Sequence, residues 1–536
     1  MTNYTAWLTR CIIPVYLLLV LATYLNFSDT TIAFTEDMAL TLAIGEHVAH
    51  GEPILLGPPS HIGGRHLGGL MYWLVGVIHL IGDGDALFAS CSIALLSLLG
   101  ILICSHTASL LFPRQHRPAA LIASAIGMLT VGGLSFIRYP WANNLLMIFS
   151  GLFLYGALQV LERGRNAYPF FITTAILLGS LHFSTGPGVA LVTCIVTWRL
   201  WRERGNDVSD FTYSSWVWCG VSALLLLPIV WFEVAYHPNI ISVLTAVRSN
   251  AQAPAGFQSA LSVGYDLFKN LFWGTAHGTV TRFAPHLLAS VAVVTLSFFT
   301  LIRYRKEFPS WMPTYIGMLI ALVVLYLYTV QRLSEPLYPS YFYPLLWLPP
   351  FLWGLCGCSL SLIAQSPKGR IVALGALVLI GCHTASHLYR LHHGEARHAV
   401  KLHSIEFTKS LAHDLLALPI PKPFTLLVPE GSFAHAVRGT ILYHLGYDFH
   451  PYIEYWEEID EFGGGPDSKN LSDTADHAVL VQCPKPVGKG RERMVKALSH
   501  QWIVGKSDLE LPNCKACSLC LIRALERKPN TTQEQR

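Results

Sequence analysis

The feature that most constrains this chain is the recurrence of apolar runs about as long as a lipid bilayer is thick. A hydrocarbon core of about 30 Å needs roughly 20 mostly apolar residues in a helix. Eleven runs qualify as spans: 10–27, 86–112, 118–136, 141–161, 168–185, 187–203, 214–235, 284–303, 311–331, 339–357 and 370–388. Of the 536 residues, 52% are apolar and 13% charged, against about 25% charged in soluble proteins. That excludes a disordered chain, a coiled coil and most soluble enzymes. The net charge is +4 and the basic residues are scattered, so no nucleic-acid footprint exists. The expected fold class is a mainly α polytopic membrane protein, with about 11 spans plus interfacial helices and a small C-terminal α/β extracytoplasmic domain. Residues 1–27 show no small-residue cleavage site after the apolar run, so they read as a retained span.

Basic residues orient the bundle, because short Lys/Arg-rich loops stay in the cytoplasm. The basic loops are Arg114–Arg117, Glu162–Arg165, Arg199–Arg204, Arg303–Lys306 and Lys368–Arg370. All fall on one side if the spans alternate, and Arg10 joins them. Residues 68–81 would invert every later loop if they spanned. They are too short and open with Gly68 and Gly69, so they read as an interfacial or re-entrant helix. The N-terminus is then cytoplasmic. A membrane domain covers 1–388 with an outer loop at 28–85, and an extracytoplasmic α/β domain covers 389–536.

Within the outer loop, Asp37–His50 reads as a short amphipathic helix, with apolar Met38, Leu40, Leu42, Ile44 and Val48. A turn rich in Gly, Pro and His follows. The tail alternates helix-like 398–417, 433–446 and 490–500 with strand-like 423–428, 478–482 and 518–523, which suggests a small α/β domain. Eight of twelve cysteines lie in apolar spans and act as small hydrophobes. The other four, Cys483, Cys514, Cys517 and Cys520, lie in the tail. They read as two disulfides, with reactive thiols and a zinc site as the competing readings.

Candidate chemistry gathers at predicted outer ends. Glu36 and Asp37 precede the first loop helix. They read either as an N-terminal cap that satisfies free N–H groups or as a general base or metal ligand. Arg65, Arg138 and Arg332 are suited to phosphate by their two-pronged donors, or are snorkelling side chains. His61, His66 and His182 are further candidates, as are Asn143, Asn144 and Tyr341. The run Tyr338, Tyr341, Phe342, Tyr343 also fits an aromatic interface belt. Asp83-Gly84-Asp85 reads as a tight turn. No nucleotide-binding loop, metalloprotease motif or nucleophile elbow occurs.

Glu36-Asp37, Gly51 after a further thirteen residues, the Pro-rich turn and Arg65-His66-Leu67-Gly68-Gly69-Leu70-Met71-Tyr72-Trp73 resemble the first outer loop of GT-C superfamily glycosyltransferases. The nearest group is the protein-mannosyltransferase-like and aminoarabinose-transferase-like enzymes, in a bacterial variant. By register, Glu36 stands where that group carries its catalytic Asp. Arg138-Tyr139-Pro140-Trp141-Ala142-Asn143-Asn144 stands where an Asp is common, and asparagine is no general base.

The resemblance implies a sugar on a polyprenyl phosphate as donor and attack by an acceptor hydroxyl at the outer membrane face, with inversion. Glu36 or Asp37 would be the base, and Arg65, His66, Arg138, Asn143, Asn144, His182, Arg332 and Tyr341 would bind substrate. It leaves a divalent cation, Mg2+ or Mn2+, open. Partners would be the lipid donor, membrane lipids and an acceptor lipid, glycan or protein, at a bacterial inner membrane with the tail periplasmic. A transporter or flippase of lipid-linked glycans and a non-catalytic assembly component are the alternatives. The ionisable residues gather at span ends rather than mid-span, and no inverted repeat is evident, which favours the transferase.

Overall fold

The structure is a computed structural model. It describes residues 2–24, 36–52, 69–129, 144–202, 212–235, 254–273, 309–334 and 339–376, four short strands beyond, and isolated residues such as Ile54 between these stretches. The chain divides into two compact units. One comprises Met1–Asn26, Pro53–Leu74 and Ala89–Gly394, and the other Phe27–Glu52, Val75–Phe88 and Glu395–Arg536.

The helices are α1 Thr2–Tyr24, α2 Glu36–Ala49, α3 Leu70–Gly82, α4 Ala86–Ser109, α5 Arg117–Met128, α6 Leu145–Arg163, α7 Tyr168–Leu181, α8 Gly186–Arg202, α9 Tyr213–Ala235, α10 Phe257–Trp273, α11 Met312–Val330 and α12 Leu348–Ile363. Among the described residues, five stretches are long and apolar enough to cross a membrane: Ala86–Ser109, Leu145–Leu181, Tyr213–Val234, Met312–Val330 and Tyr341–Ile363. The 37-residue stretch is two helices. Phe153 and Phe171 would lie about 27 Å apart on one straight helix, yet their rings stack at 5.1 Å. The chain reverses at Gly164, whose φ of 71° ends α6 in a conformation that only glycine adopts cheaply.

Most expected spans coincide with helices to within a few residues. The expected 118–136 run is cut short, because Leu129 leaves the helical region and α5 ends at Met128. The expected 339–357 span is found as Tyr341–Ile363, and it opens in a tighter turn. Pro339–Leu345 forms a 3-10 turn, and α12 begins with Pro349 and Pro350 in its first turn, where a missing N–H costs nothing. The 284–303 run lies almost wholly outside the described residues. The 13-residue α3 rises about 20 Å, short of a bilayer core.

The tightest packing joins α5 to α12. A methyl group on Gly127 would enter the Trp353 ring, and one on Gly357 would meet Ala119 and Ala123. Ser124 Oγ donates to the Pro350 carbonyl at 2.7 Å. Small residues let two helix backbones approach where water supplies no hydrophobic drive.

Side-chain contacts fix the ends of this unit. Ser97 Oγ reaches the Asn144 carbonyl at 3.4 Å, and the His106 and Tyr155 rings lie 6.0 Å apart, so α4 and α6 run parallel. Tyr168 Oη meets Thr197 Oγ1 at 2.9 Å, and Ser215 Oγ donates to the Asn166 carbonyl at 3.1 Å. His116 Nδ1 meets Ser361 Oγ at 3.0 Å. The basic groups at 114–117, 162–165, 199–202 and 368–370 therefore share one end. The fifth basic loop, 303–306, lies outside the described residues.

In the second unit, α2 closes with a Schellman turn. Glu52 N–H donates to the His47 carbonyl at 3.0 Å and Gly51 N–H to Val48 at 2.9 Å, with Gly51 at φ 91°. The expected amphipathic character of this helix is not found. Residues 41–45 are all buried, so its middle is enclosed on every side. The apolar spacing of two at Met38, Leu40, Leu42 and Ile44 does not make one helical face. The tail contributes a four-stranded mixed sheet in the order β1-β2-β4-β3. The strands are β1 Thr425–Leu427, β2 His477–Gln482, β3 Trp502–Val504 and β4 Leu521–Arg527. β1 and β2 pair in parallel, and the other pairs are antiparallel. The expected strands at 423–428 and 478–482 are present, the one at 518–523 lies slightly later, and β3 was not foreseen. The expected tail helices fall almost wholly outside the described residues.

Two outcomes are expected. Gly127→Leu should destabilise the protein by about 3 kcal/mol through overpacking, with partial recovery on adding Trp353→Leu, as read by thermal melting in detergent. No recovery would place the clash elsewhere. His116 is buried at the basic end, and burial pushes its imidazole below the usual value. Its Nε2 faces the Gln115 and Gln365 amide nitrogens at 3.1 and 3.0 Å. The unfolded imidazole titrates near 6.5, so the unfolded chain takes up the proton first. His116 therefore contributes stability that is present above about pH 6.5 and is lost as pH falls below it. His116→Gln should flatten that acid slope in a melting series, and an unchanged slope would refute the assignment.

Candidate functional site at the end opposite the basic loops

The α6–α7 hairpin brings the start of α6 and the end of α7 to the end away from the basic loops. Asn144 stands just before α6 and is fully buried. His182 ends α7. Its backbone is extended, with φ −152° and ψ 125°, and a 3-10 turn Phe183–Thr185 leads into α8. Thr185 binds this turn together. Its N–H and Oγ1 donate to the His182 carbonyl at 3.0 and 2.7 Å, and Oγ1 also reaches the Leu178 carbonyl at 3.0 Å.

The His182 ring is held by its own turn. Ser184 N–H donates to Nδ1 at 3.3 Å, and Ser184 Oγ lies 2.6 Å from the same atom. A backbone N–H can only donate, so Nδ1 is the acceptor and Nε2 carries the proton of the neutral ring. From α11, buried Tyr326 donates to the carbonyls of Ser184 and Thr185 at 3.1 and 3.3 Å. Gly188 makes room for it, since a methyl group there would come within 2.6 Å of the Tyr326 hydroxyl. The Pro339–Leu345 turn packs against Phe183–Thr185 and carries half-buried Tyr341. Phe342 and Tyr343 are buried, which replaces the expected aromatic belt with internal packing at those two positions.

Arg332 follows α11 at the same end. The segment around it is clasped by Ala255 N–H to the Leu333 carbonyl at 2.8 Å and Gly256 N–H to Gln331 at 3.1 Å. Its guanidinium lies 5.2 Å over the Tyr328 ring and donates to the Tyr328 hydroxyl at 3.3 Å. Both side chains are exposed, on a stripe with Ile320 and Val324. Tyr328, over which Arg332 lies, is two helical residues from Tyr326, about 160° around the axis. Arg332 therefore does not share the face that meets the His182 turn.

Glu36 and Asp37 are the first two residues of α2, in the second unit. No group of three His, Cys, Asp or Glu side chains able to hold a metal occurs among the described residues. Asp83-Gly84-Asp85 is the expected tight turn, with φ 49° at Asp83 and 73° at Gly84. Asp85 then caps α4 by accepting from the Phe88 N–H at 2.6 Å. Arg65, His66, His61, Arg138, Asn143, Cys483, Cys514, Cys517 and Cys520 lie outside the described residues. The loop holding Arg65 and His66 is closed by Trp73 Nε1 donating to the Ile54 carbonyl at 2.7 Å. Sequence reasoning missed Ser184 and Tyr326. The one available signal was a tyrosine inside an apolar run, since a buried phenol needs a partner.

No protein-family model matches the sequence, and no curated protein sequence matches it. Two solved structures align with it over nearly the whole chain. ArnT from Cupriavidus metallidurans bound to undecaprenyl phosphate aligns at 13% identity with a TM-score of 0.58, covering 96% of this chain and 98% of that one. The apo state of that protein aligns at 12% identity with a TM-score of 0.51, covering 98% of each. The chain has the GT-C fold. With its apolar helices, this makes it an integral membrane protein.

Proposed function

We propose that this GT-C chain is a glycosyltransferase that moves a sugar from a polyprenyl-phosphate donor to an acceptor hydroxyl at the outer membrane face. The observation that carries this reading is the end-to-end likeness to a protein solved with undecaprenyl phosphate bound. A second observation supports the orientation. The described basic groups gather at one end of the helical unit, and Asn144, His182, Arg332 and Tyr341 at the other. Basic loops stay cytoplasmic, so the second end is the outer one.

In the proposed reaction, Glu36 or Asp37 takes the proton from the acceptor hydroxyl as that oxygen attacks the anomeric carbon, and the sugar is transferred with inversion. The bond to the lipid phosphate breaks as the new glycosidic bond forms. The departing phosphate carries the developing negative charge, so donors and cations must meet it. Arg65, Arg138 and Arg332 suit that role by their paired N–H groups. Arg332 sits on an exposed face at a helix end, where a lipid-borne phosphate arrives from the bilayer. His66 and His182 add single donors, and Asn143, Asn144 and Tyr341 bind sugar or phosphate oxygens. The tail sheet, proposed as part of an extracytoplasmic α/β domain, would help select the acceptor, and the compartment would be the periplasmic side of a bacterial inner membrane.

The base is tested with Glu36→Gln and Asp37→Asn in nanodiscs, supplied with a panel of undecaprenyl-phosphate sugars and assayed for undecaprenyl phosphate release. One variant should lose about 10²–10⁴-fold in turnover. Full turnover in both, with each losing about 0.5–2 kcal/mol of stability, would reduce the pair to a helix cap. Arg332→Gln should weaken undecaprenyl phosphate binding about tenfold and lower the maximal rate as well, because the same guanidinium meets charge that develops on the departing phosphate. An unaltered affinity would leave Arg332 as a snorkelling side chain.

A further inference from the structure

We propose that Arg114, Arg117, Lys368 and Arg370, at the basic end of the helical unit, form a binding site for the headgroup phosphate of an anionic membrane phospholipid. The proposal is independent of the donor and acceptor readings and needs only that the helical unit spans a bilayer.

The four cations come from two segments far apart in sequence, and His116 joins those segments. Its Nδ1 meets Ser361 Oγ at 3.0 Å, its Nε2 faces the Gln365 amide nitrogen at 3.0 Å, and Cys358 Sγ donates to its carbonyl at 3.3 Å. Arg114 and Arg117 stand on either side of His116 in the chain. Arg370 folds back over the end of α12, where its Nε donates to the Ala364 carbonyl at 3.3 Å, next to Gln365. Arg117 is anchored in the same manner, with Nε donating to the Phe112 carbonyl at 3.3 Å. A guanidinium tied at Nε keeps its two terminal amino groups as a fork, and that fork matches two oxygens of a phosphate. Arg117 is half-buried, and Arg114, Lys368 and Arg370 are exposed.

The charge is uncompensated locally. No Asp or Glu occurs in residues 86–161 or 336–394, which contribute all four cations. Among the described residues, none of the four pairs with a carboxylate, Glu162 at the same end of α6 included. Gathered like charges repel, and an anion bound among them relieves that repulsion.

The surface beside the cluster selects the kind of anion. A helix over 367–376 is capped by Ser366, whose Oγ accepts from the Gly369 N–H at 3.0 Å, so Lys368 and Arg370 lie at its start. Directly after them, Ile371, Val372 and Leu374 are 74%, 56% and 64% exposed. A cationic start running into an exposed apolar face fits a molecule whose anionic head is joined to apolar tails. A soluble phosphate or an acidic protein would use the charges and leave the apolar face uncovered. Basic pockets between spanning helices bind lipid headgroups in this way.

The test titrates the purified protein in detergent with short-chain phosphatidylglycerol or phosphatidylcholine and follows the melting temperature. Phosphatidylglycerol should raise it saturably, and phosphatidylcholine should not. Arg117→Gln combined with Arg370→Gln should raise the half-saturating phosphatidylglycerol concentration about thirtyfold. Arg163→Gln combined with Arg202→Gln removes the same charge from the same end and should leave that concentration nearly unchanged. An equal loss in the two double variants would make the cluster part of a diffuse basic surface and overturn the proposal. Equal responses to the two lipids would overturn it too. A response to glycerol phosphate or polyglutamate as large as that to phosphatidylglycerol would assign the cluster to a soluble anion and overturn it as a lipid site. Should Arg117→Gln with Arg370→Gln fail to fold, Arg114→Gln with Lys368→Gln decides, because both of those side chains are exposed.

Discussion

An apolar solvent leaves a chain one way to satisfy some twenty consecutive backbone N–H and C=O groups within a single segment, and that is the helix. The rest of this structure follows from that demand. Hydroxyls inside the helical unit mostly turn back onto carbonyls of their own helix, as Ser97, Ser105, Thr107, Thr173 and Thr329 do. Among the described residues of this unit, departures from helix lie at helix ends, where polar groups can be exchanged for side chains or water. The extended His182, the left-handed Gly164 and the clasp around Arg332 all occur there. The candidate residues Asn144, His182 and Arg332 stand at such ends.

The two ends of the helical unit are chemically unlike. One carries Arg114, Arg117, Arg163, Arg165, Arg199, Arg202, Lys368 and Arg370. The other carries Asn144, the His182 turn and Arg332. This asymmetry was visible in the sequence only as an alternation argument that depended on every span being counted correctly. In the folded chain it rests on contacts between distant residues, such as His116 with Ser361 and Tyr168 with Thr197. A miscounted span would not disturb those pairs.

Features governed by local chemistry were legible in the sequence. Gly51 ends α2 because a Schellman turn needs positive φ, and Asp83-Gly84 turns for the same reason. The long apolar runs became helices because length and composition suffice. Features governed by tertiary packing were not legible. α2 seemed amphipathic, yet neighbours enclose its middle. α5 stops at Met128, where Leu129 turns out of the helical region, although the apolar run continues, and periodicity does not mark such an end. Tyr326 was hidden because its partners, the carbonyls of Ser184 and Thr185, lie some 140 residues away. β3 is three residues long, too short for alternation to register. Glu36 and Asp37 were singled out by type and position, and those two properties fit a cap and a base equally well, which is why substitution rather than inspection separates them.

Helix α11 shows how one element can serve two environments. Tyr315, Leu322 and Tyr326 point into the packed unit, where Tyr326 ties the His182 turn. Ile320, Val324 and Tyr328 form the exposed stripe that ends at Arg332. In the proposed reaction the donor is lipid at one end and sugar phosphate at the other, so its phosphate must be met at the edge of the bilayer and its sugar inside the protein. A helix with an apolar outer stripe ending in a guanidinium suits the first need. A buried inner face that braces the turn beside it suits the second. Tyr326 and Tyr328 lie about 160° apart around the axis, so the inner and outer faces meet at one helix end without either side chain displacing the other.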